Sequence, residues 1–162
     1  MSKLKSGLIQ MSLKGSTEDA PEKIRDAMLE AHLPLIDKAG AEGVQVLCFQ
    51  EVFTQPYFCP SQDAKWYAAA EPIPDGHTVS LMKEYARKHN MVIIVPIYEE
   101  AMTGVYYNTA AVIDAEQLSW QVPQDTPSAC RWFLGKILLQ AGRLRLARIQ
   151  YRLWPDRRLY LL

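Results

Sequence analysis

Two apolar segments that lack polar alternation constrain the fold of this chain most. They are "VQVLCFQ", residues 44–50, and "MVIIVPIY", residues 91–98. Both have the length of a strand rather than a helix, and the second is rich in β-branched residues. A strand without alternation is typical of a sheet that is covered on both faces. The sequence therefore predicts the α/β fold class.

Helical patterns separate these strands. Residues 16–43 have apolar side chains at helical spacing, with Ser16 or Thr17 as candidate N-caps and Pro34 predicted to kink or split the helix. Residues 75–90, "DGHTVSLMKEYARKHN", predict a second helix. Short strands are expected at residues 5–11 and 104–115. The resulting order is strand, helix, strand, helix, strand, strand, with the last two strands paired.

Composition and cysteine spacing exclude several classes of protein. Apolar residues make up 49% and charged residues 22%, and no apolar run is long enough to span a bilayer. The N-terminal "MSKLKSGLIQ" lacks the apolar core of a signal peptide, so we expect a cytoplasmic protein without a membrane partner. Cys48, Cys59 and Cys130 fit neither a disulfide framework nor a metal site. Cys48 is expected to be a buried apolar residue.

Charge divides the chain into two parts. Residues 1–115 carry 10 Lys and Arg against 15 Asp and Glu, whereas residues 116–162 carry 8 against 3. Seven of those eight cations are arginine. A basic tail of this kind raises the alternative of a non-catalytic binding module for an acidic partner. The tail has no groove-binding motif, and we expect no nucleic-acid partner.

Glu51 is the candidate functional residue. It follows directly after a predicted strand, and in open α/β sheets ligands gather at the carboxyl ends of the strands. Phe49, Phe53, Tyr57 and Phe58 surround it in the sequence. Partial burial among these rings would favour a general base. A structural carboxylate that caps a helix or pairs with a lysine explains Glu51 equally well at this point.

Five segments, in order, resemble the carbon–nitrogen hydrolase (nitrilase) superfamily, and within it β-ureidopropionases and N-carbamoyl amino-acid amidohydrolases. They are "GLIQM", "VQVLCFQEVFTQPYF", "AEPIPDG", "YARKHNMVIIVPIYEE" and "VYYNTAAVIDA". The resemblance covers residues 7–115. It implies part of an α-β-β-α sandwich whose C-terminal half is missing, with Glu51 as general base. It also implies a small-molecule substrate, no cofactor and homo-oligomeric full-length relatives.

The rest of the family's catalytic triad is absent from the printed chain. The resemblance implies a lysine soon after "NTAAVIDA" and a nucleophilic cysteine further on, in segments similar to "GKYRKTHLP" and "GVYICYD". Lys136 comes too late, and Cys48, Cys59 and Cys130 do not match the nucleophile position. The literal polypeptide is therefore expected to be inactive, and a truncated relative without activity is a further alternative.

The tail is explained by a hypothesis about the reading frame. Suppose that residues 116–162 are translated in a shifted frame, in which each intended codon is the last two bases of one codon plus the first base of the next. A tryptophan codon, TGG, then gives an intended codon that begins with GG, and every such codon encodes glycine. Trp120, Trp132 and Trp154 then fall where the family has "LGKYRK", "GFWEKF" and "YGRIGVYIC". The lysine codon would lie across residues 124–125 and the cysteine codon across residues 161–162. Residues 1–115 would be the N-terminal part of the hydrolase domain.

Four further residues are pocket candidates. Phe53, Tyr57 and Cys59 follow Glu51, and Cys59 is expected at the mouth of the pocket. Asn108 lies in the strand that precedes the family's lysine. Its side chain either contacts the site or satisfies backbone groups, and the sequence leaves both open. No cluster of residues has the spacing of a metal site.

Overall fold

The fold is built on one five-stranded sheet. A computed structural model describes residues 4–115 and the backbone of residues 118–123. Two α-helices accompany the strands, and two 3-10 helices, Cys59–Ser61 and Ala64–Ala69, occupy the loop between β2 and α2. The elements in chain order are β1 Ser6–Ile9, α1 Pro21–Ala41, β2 Val46–Phe49, α2 His77–His89, β3 Val92–Met102, β4 Val105–Ile113 and β5 Leu118–Pro123.

The strands lie side by side in sequence order, β1-β2-β3-β4-β5. β1, β2 and β3 are parallel, whereas β4 and β5 each pair antiparallel with the preceding strand. Helices connect the parallel strands, as such connections require. The predicted α/β class and the predicted order of elements through β4 are confirmed. The prediction had no strand after β4, and β5 extends the sheet beyond residue 115.

One face of the sheet carries both helices. Leu29 and Ile36 of α1, with Val79 and Met82 of α2, join a buried cluster that includes Ile93 of β3. Such burial supplies most of the stabilising free energy of a fold of this size. The cluster leaves the carboxyl ends of β1 and β2 at the edge of the core, where Glu51 follows.

The opposite face of the sheet forms a second apolar cluster. Val92, Ile94, Ala110 and Val112 are buried there, with Val46 and Cys48 packed against them. β3 is buried on both faces, since every residue from Val92 to Ile97 is buried. For β2 the prediction of burial on both faces is wrong in part. Its outward side chains are only half-buried, so Cys48 is not the fully buried residue that the sequence predicts.

The start of α1 differs from the prediction. Its N-cap is Ala20, which offers no side-chain cap, and Pro21 occupies the first turn, where its missing N–H costs nothing. Ser16 and Thr17 lie before this point, and the Ser16 carbonyl instead accepts a hydrogen bond from the Asp19 N–H. The candidate N-caps were therefore placed too early. Pro34 lies inside one continuous helix, so the predicted split is also wrong.

Glu71 fixes the start of α2. Its buried carboxylate accepts hydrogen bonds from the Thr78 backbone N–H at 2.7 Å and the Thr78 hydroxyl at 2.5 Å. A carboxylate at this end satisfies otherwise orphaned N–H groups and complements the helix dipole. The backbone N–H of Glu71 also donates to the Tyr98 carbonyl at 3.0 Å, which ties the helix start to β3.

His32 is a buried, neutral imidazole on α1. Its Nδ1 lies 2.7 Å from the Met28 carbonyl oxygen, which can only accept, so Nδ1 carries the proton. The ring packs edge-on against Phe49 and Phe53. Burial lowers the pKa of His32 below its usual value, partly offset by the hydrogen bond to Met28.

Acidification is therefore expected to destabilise the fold through His32. Below about pH 6.5 the unfolded chain binds a proton that folded His32 refuses, so the free energy of unfolding falls as pH falls, until the folded pKa is reached. We expect the free energy of unfolding to fall between pH 7.5 and 5.5 because of this residue. Urea titrations of the wild type and of His32→Leu measure it.

The matched control is His77→Leu, at an exposed histidine on α2. His32→Leu should have a flatter profile of the free energy of unfolding against pH than both the wild type and this control. Identical profiles for the wild type and His32→Leu would show that His32 binds a proton as readily in the folded state as in the unfolded state.

Candidate active site

Glu51 lies two residues after the end of β2, at the carboxyl end of the parallel strands. β2 ends at Phe49, between β1 and β3, and the chain then turns sharply. Val52 adopts a left-handed backbone conformation with φ of 45°, which is strained for a β-branched residue. The Phe53 N–H donates to the Pro96 carbonyl at 3.3 Å, which ties this turn to β3. The strained turn presents Glu51 at the rim of the sheet.

Asn108 holds the Glu51 carboxylate. Its Nδ2 donates to Oε1 of Glu51 at 2.6 Å, although the two residues are 57 positions apart in the chain. Asn108 lies on β4, paired with Tyr98 of β3. Its amide group is therefore directed at Glu51, which decides between the two roles that the sequence left open. A hydrogen bond to a charged acceptor is among the stronger ones and fixes the orientation of the carboxylate.

An open depression of about 430 Å³ adjoins Glu51. Its wall combines polar side chains of the strand ends and the following turn with apolar ones and with Tyr57, whose side chain is largely exposed. The lining residues are Gln10, Met11, Leu13, Gln50, Glu51, Gln55, Pro56 and Tyr57. A half-buried carboxylate that Asn108 orients and that opens to a cleft is arranged to accept a proton from a group that enters it.

The other predicted pocket residues lie elsewhere. Phe53 is fully buried in the core, with ring centroids 4.6 Å from Phe49 and 4.9 Å from His32, so its prediction as a pocket residue is wrong. Cys59 is exposed and lines a separate depression with Trp66 and Tyr98. The predicted aromatic surroundings of Glu51 are thus wrong apart from Tyr57, because Phe49 and Phe53 pack in the core and Phe58 stacks on Trp66.

Three glutamines of the depression were not predicted. Gln50 accepts a hydrogen bond from the Met11 backbone N–H at 2.6 Å and so links the ends of β1 and β2. Gln55 is 5% exposed, and its Nε2 donates to the Pro21 carbonyl at 3.0 Å. Gln10 follows directly after β1. The positions of Gln10 and Gln50 directly after strands were a usable signal, since the strand ends of a parallel sheet converge.

Within residues 4–115, the depression contains neither of the other two triad groups. No lysine or cysteine lines it. The same part of the chain holds no grouping of three or more His, Cys, Asp or Glu side chains suited to a metal ion. None of the helices that the structure describes is long and apolar enough to cross a bilayer. The proposed lysine and cysteine codons fall at residues 124–125 and 161–162, outside the described residues.

The sequence profile of the carbon-nitrogen hydrolase family matches residues 8–121. The chain belongs to the carbon-nitrogen hydrolase family. The match includes the end of β1, Glu51, Asn108 and the start of β5. It reaches six residues past Ala115, the predicted end of the resemblance.

Curated relatives and solved structures agree with this assignment. The chain is 37% identical to a β-ureidopropionase from Arabidopsis thaliana over 109 residues, or 66% of this chain, and 35% identical to an N-carbamoylputrescine amidase of the same plant over 82 residues. A carbon-nitrogen hydrolase from Helicobacter pylori has the same fold, with a TM-score of 0.63 at 21% identity over 76% of this chain.

The chain spans only part of these proteins. It covers 26% of the β-ureidopropionase, 27% of the amidase and 41% of the H. pylori protein. Its sheet and two helices are therefore a partial segment of the fold, with Glu51 on it.

Proposed function

We propose that this chain is the Glu51-bearing part of an enzyme that hydrolyses N-carbamoyl amino acids, with N-carbamoyl-β-alanine as its substrate and β-alanine, ammonia and carbon dioxide as products. The observation that carries the proposal is the Glu51 carboxylate, fixed by Asn108 at the mouth of an open depression in a chain of this family. The substrate follows the β-ureidopropionase, which matches a longer part of the chain than the amidase does.

In the proposed mechanism Glu51 acts as general base. It takes the proton of a cysteine thiol, and the thiolate attacks the carbonyl carbon of the carbamoyl group. A lysine stabilises the oxyanion that forms, and Glu51 returns its proton to the nitrogen that leaves as ammonia. Water then hydrolyses the carbamoylated cysteine, which regenerates the thiol and releases the carbamate of the amino acid. The carbamate decomposes to the amino acid and carbon dioxide. No step requires a cofactor.

The lysine and the cysteine come, in this proposal, from the correct reading frame downstream of residue 115. The printed tail, residues 116–162, is then a shifted translation, and the printed polypeptide alone is inactive. The complete enzyme is proposed to be cytoplasmic and homo-oligomeric, with a small molecule as its partner.

N-carbamoylputrescine is a second candidate substrate, and a specific observation favours it. Glu51 is the one charged residue among those that line the depression in the described part of the chain. An anionic lining suits a cationic amine better than a carboxylate. The carboxylate of N-carbamoyl-β-alanine meets no cationic side chain among these lining residues.

Ammonia release tests the choice between these substrates. We expect the enzyme restored to the proposed frame to have a kcat/KM at least about tenfold higher for N-carbamoyl-β-alanine, which corresponds to roughly 1.4 kcal/mol of transition-state binding. The reverse preference would assign the amine substrate. Failure to release ammonia from either compound would overturn the proposed function.

A further inference from the structure

Gln55 has a buried carbonyl oxygen without a hydrogen-bond partner. The side chain is 5% exposed and lines the depression beside Glu51. Its Oε1 has no partner among the described residues. A buried acceptor left unsatisfied destabilises a fold, and such an exception calls for an explanation. The position of Gln55 next to Glu51 suggests that a bound ligand supplies the missing donor.

The orientation of the Gln55 amide is fixed by its other contact. The Pro21 carbonyl oxygen only accepts hydrogen bonds, so the atom that faces it at 3.0 Å must be the donor Nε2. A flipped amide would place two acceptors against each other. The oxygen is therefore the atom of this amide that is left without a hydrogen-bond partner among the described residues, and it can only accept.

The chemistry proposed for Glu51 requires a second acceptor in this place. To return its proton to the departing nitrogen, Glu51 must lie within hydrogen-bond reach of that nitrogen. A carbamoyl –NH2 group has two N–H donors, and Glu51 satisfies only one of them. Asn108 holds the carboxylate but offers it only a donor, Nδ2. The second N–H needs another oxygen on the same wall of the depression.

We propose that Gln55 is a substrate-binding residue whose Oε1 accepts the second N–H of the amino group that leaves as ammonia. The proposal rests on the proposed function, because it takes the leaving group from that reaction. It also names the substrate class: carbamoyl and amide compounds, which carry an –NH2 group, rather than nitriles, which do not. A site built to accept an N–H discriminates against the analogue that lacks it, since its own polar group is then left unpaired.

Equilibrium binding to the 162-residue chain tests this directly. The matched ligands are N-carbamoyl-β-alanine and N-cyano-β-alanine. In the second compound a nitrile, which has no –NH2, replaces the –CO–NH2 of the carbamoyl group. Protein-observed NMR should give a dissociation constant about tenfold lower for the carbamoyl compound, as expected for one satisfied buried acceptor. Only that compound should shift the Gln55 side-chain amide resonances.

Three variants separate an acceptor role from a structural one. Gln55→Met removes the acceptor and the bond to Pro21, and should bring the two dissociation constants within about twofold. Gln55→Glu also loses the donor to Pro21 but keeps an oxygen, so it should retain most of the preference. Gln62→Met, at an exposed glutamine outside the depression, should match the wild type.

Several outcomes would overturn the role of Gln55. They are equal binding of both ligands to the wild type, no binding of the carbamoyl compound up to its solubility limit, and equal loss of preference in Gln55→Met and Gln55→Glu. These results are distinct from failure of the proposed function. An enzyme that releases no ammonia would refute the reaction, whereas a wild-type preference lost only in Gln55→Met would still establish the N–H acceptor.

Discussion

Restoring the reading frame near codon 116 is expected to create an active enzyme from an inactive chain. The restored protein should release ammonia from N-carbamoyl-β-alanine at least about 10⁵ times faster than the 162-residue chain, since loss of a covalent nucleophile removes roughly six orders of magnitude in kcat in such enzymes. The reason is chemical. Glu51 and Asn108 are present in both proteins, but only the restored one gains a thiol to deprotonate and a lysine to stabilise the oxyanion.

A coupled assay for ammonia measures both proteins at equal concentration. The restored protein with its new cysteine changed to alanine is the control, because it keeps the full length and the fold but lacks the nucleophile. It should be as inactive as the 162-residue chain. Equal activity of the restored and printed chains would contradict the assignment of the missing triad members.

Replacing Glu51 with glutamine in the restored enzyme is expected to lower kcat by about 10³-fold, within the range that general acid–base catalysis contributes. The amide keeps the shape of the side chain and can still accept the Asn108 hydrogen bond through its oxygen. It cannot take the thiol proton. Stopped-flow or steady-state measurement of ammonia release gives kcat and KM separately.

Glu84→Gln is the matched control for this substitution. Glu84 is exposed on α2, within His77–His89. Its variant should keep the kcat of the parent enzyme, and the circular dichroism of both variants should be unchanged. A Glu51→Gln enzyme with more than about a tenth of the parent kcat would show that another group is the base.

Local sequence patterns predicted the sheet better than the site. The runs at residues 44–50 and 91–98 were recognisable because neither has a regular alternation of polar and apolar residues. β5 was missed because residues 118–123 are few and mix polar with apolar residues, so their strand structure depends on pairing with β4. Pro34 did not split α1, since tertiary packing outweighs the cost of one proline in a long helix.

The sequence predicted the site residue that its chemistry identifies, and it missed the residues whose roles depend on the backbone turn or on distant contacts. Glu51 was identifiable as a carboxylate directly after a strand. Phe53 was misplaced because the backbone turn at Val52, with its positive φ, directs the ring into the core, and no local pattern reveals that turn. Gln55 was missed since its importance rests on a contact with Pro21, 34 positions earlier in the chain.

Sequencing the gene through codons 116–162 tests the central claim most directly. That claim is that Glu51 belongs to a carbon-nitrogen hydrolase whose lysine and cysteine are encoded in a neighbouring frame. A single-base shift near codon 116 should restore segments similar to "GKYRKTHLP" and "GVYICYD", with the lysine codon across residues 124–125 and the cysteine codon across residues 161–162. A gene in which no single-base shift restores both segments would contradict it.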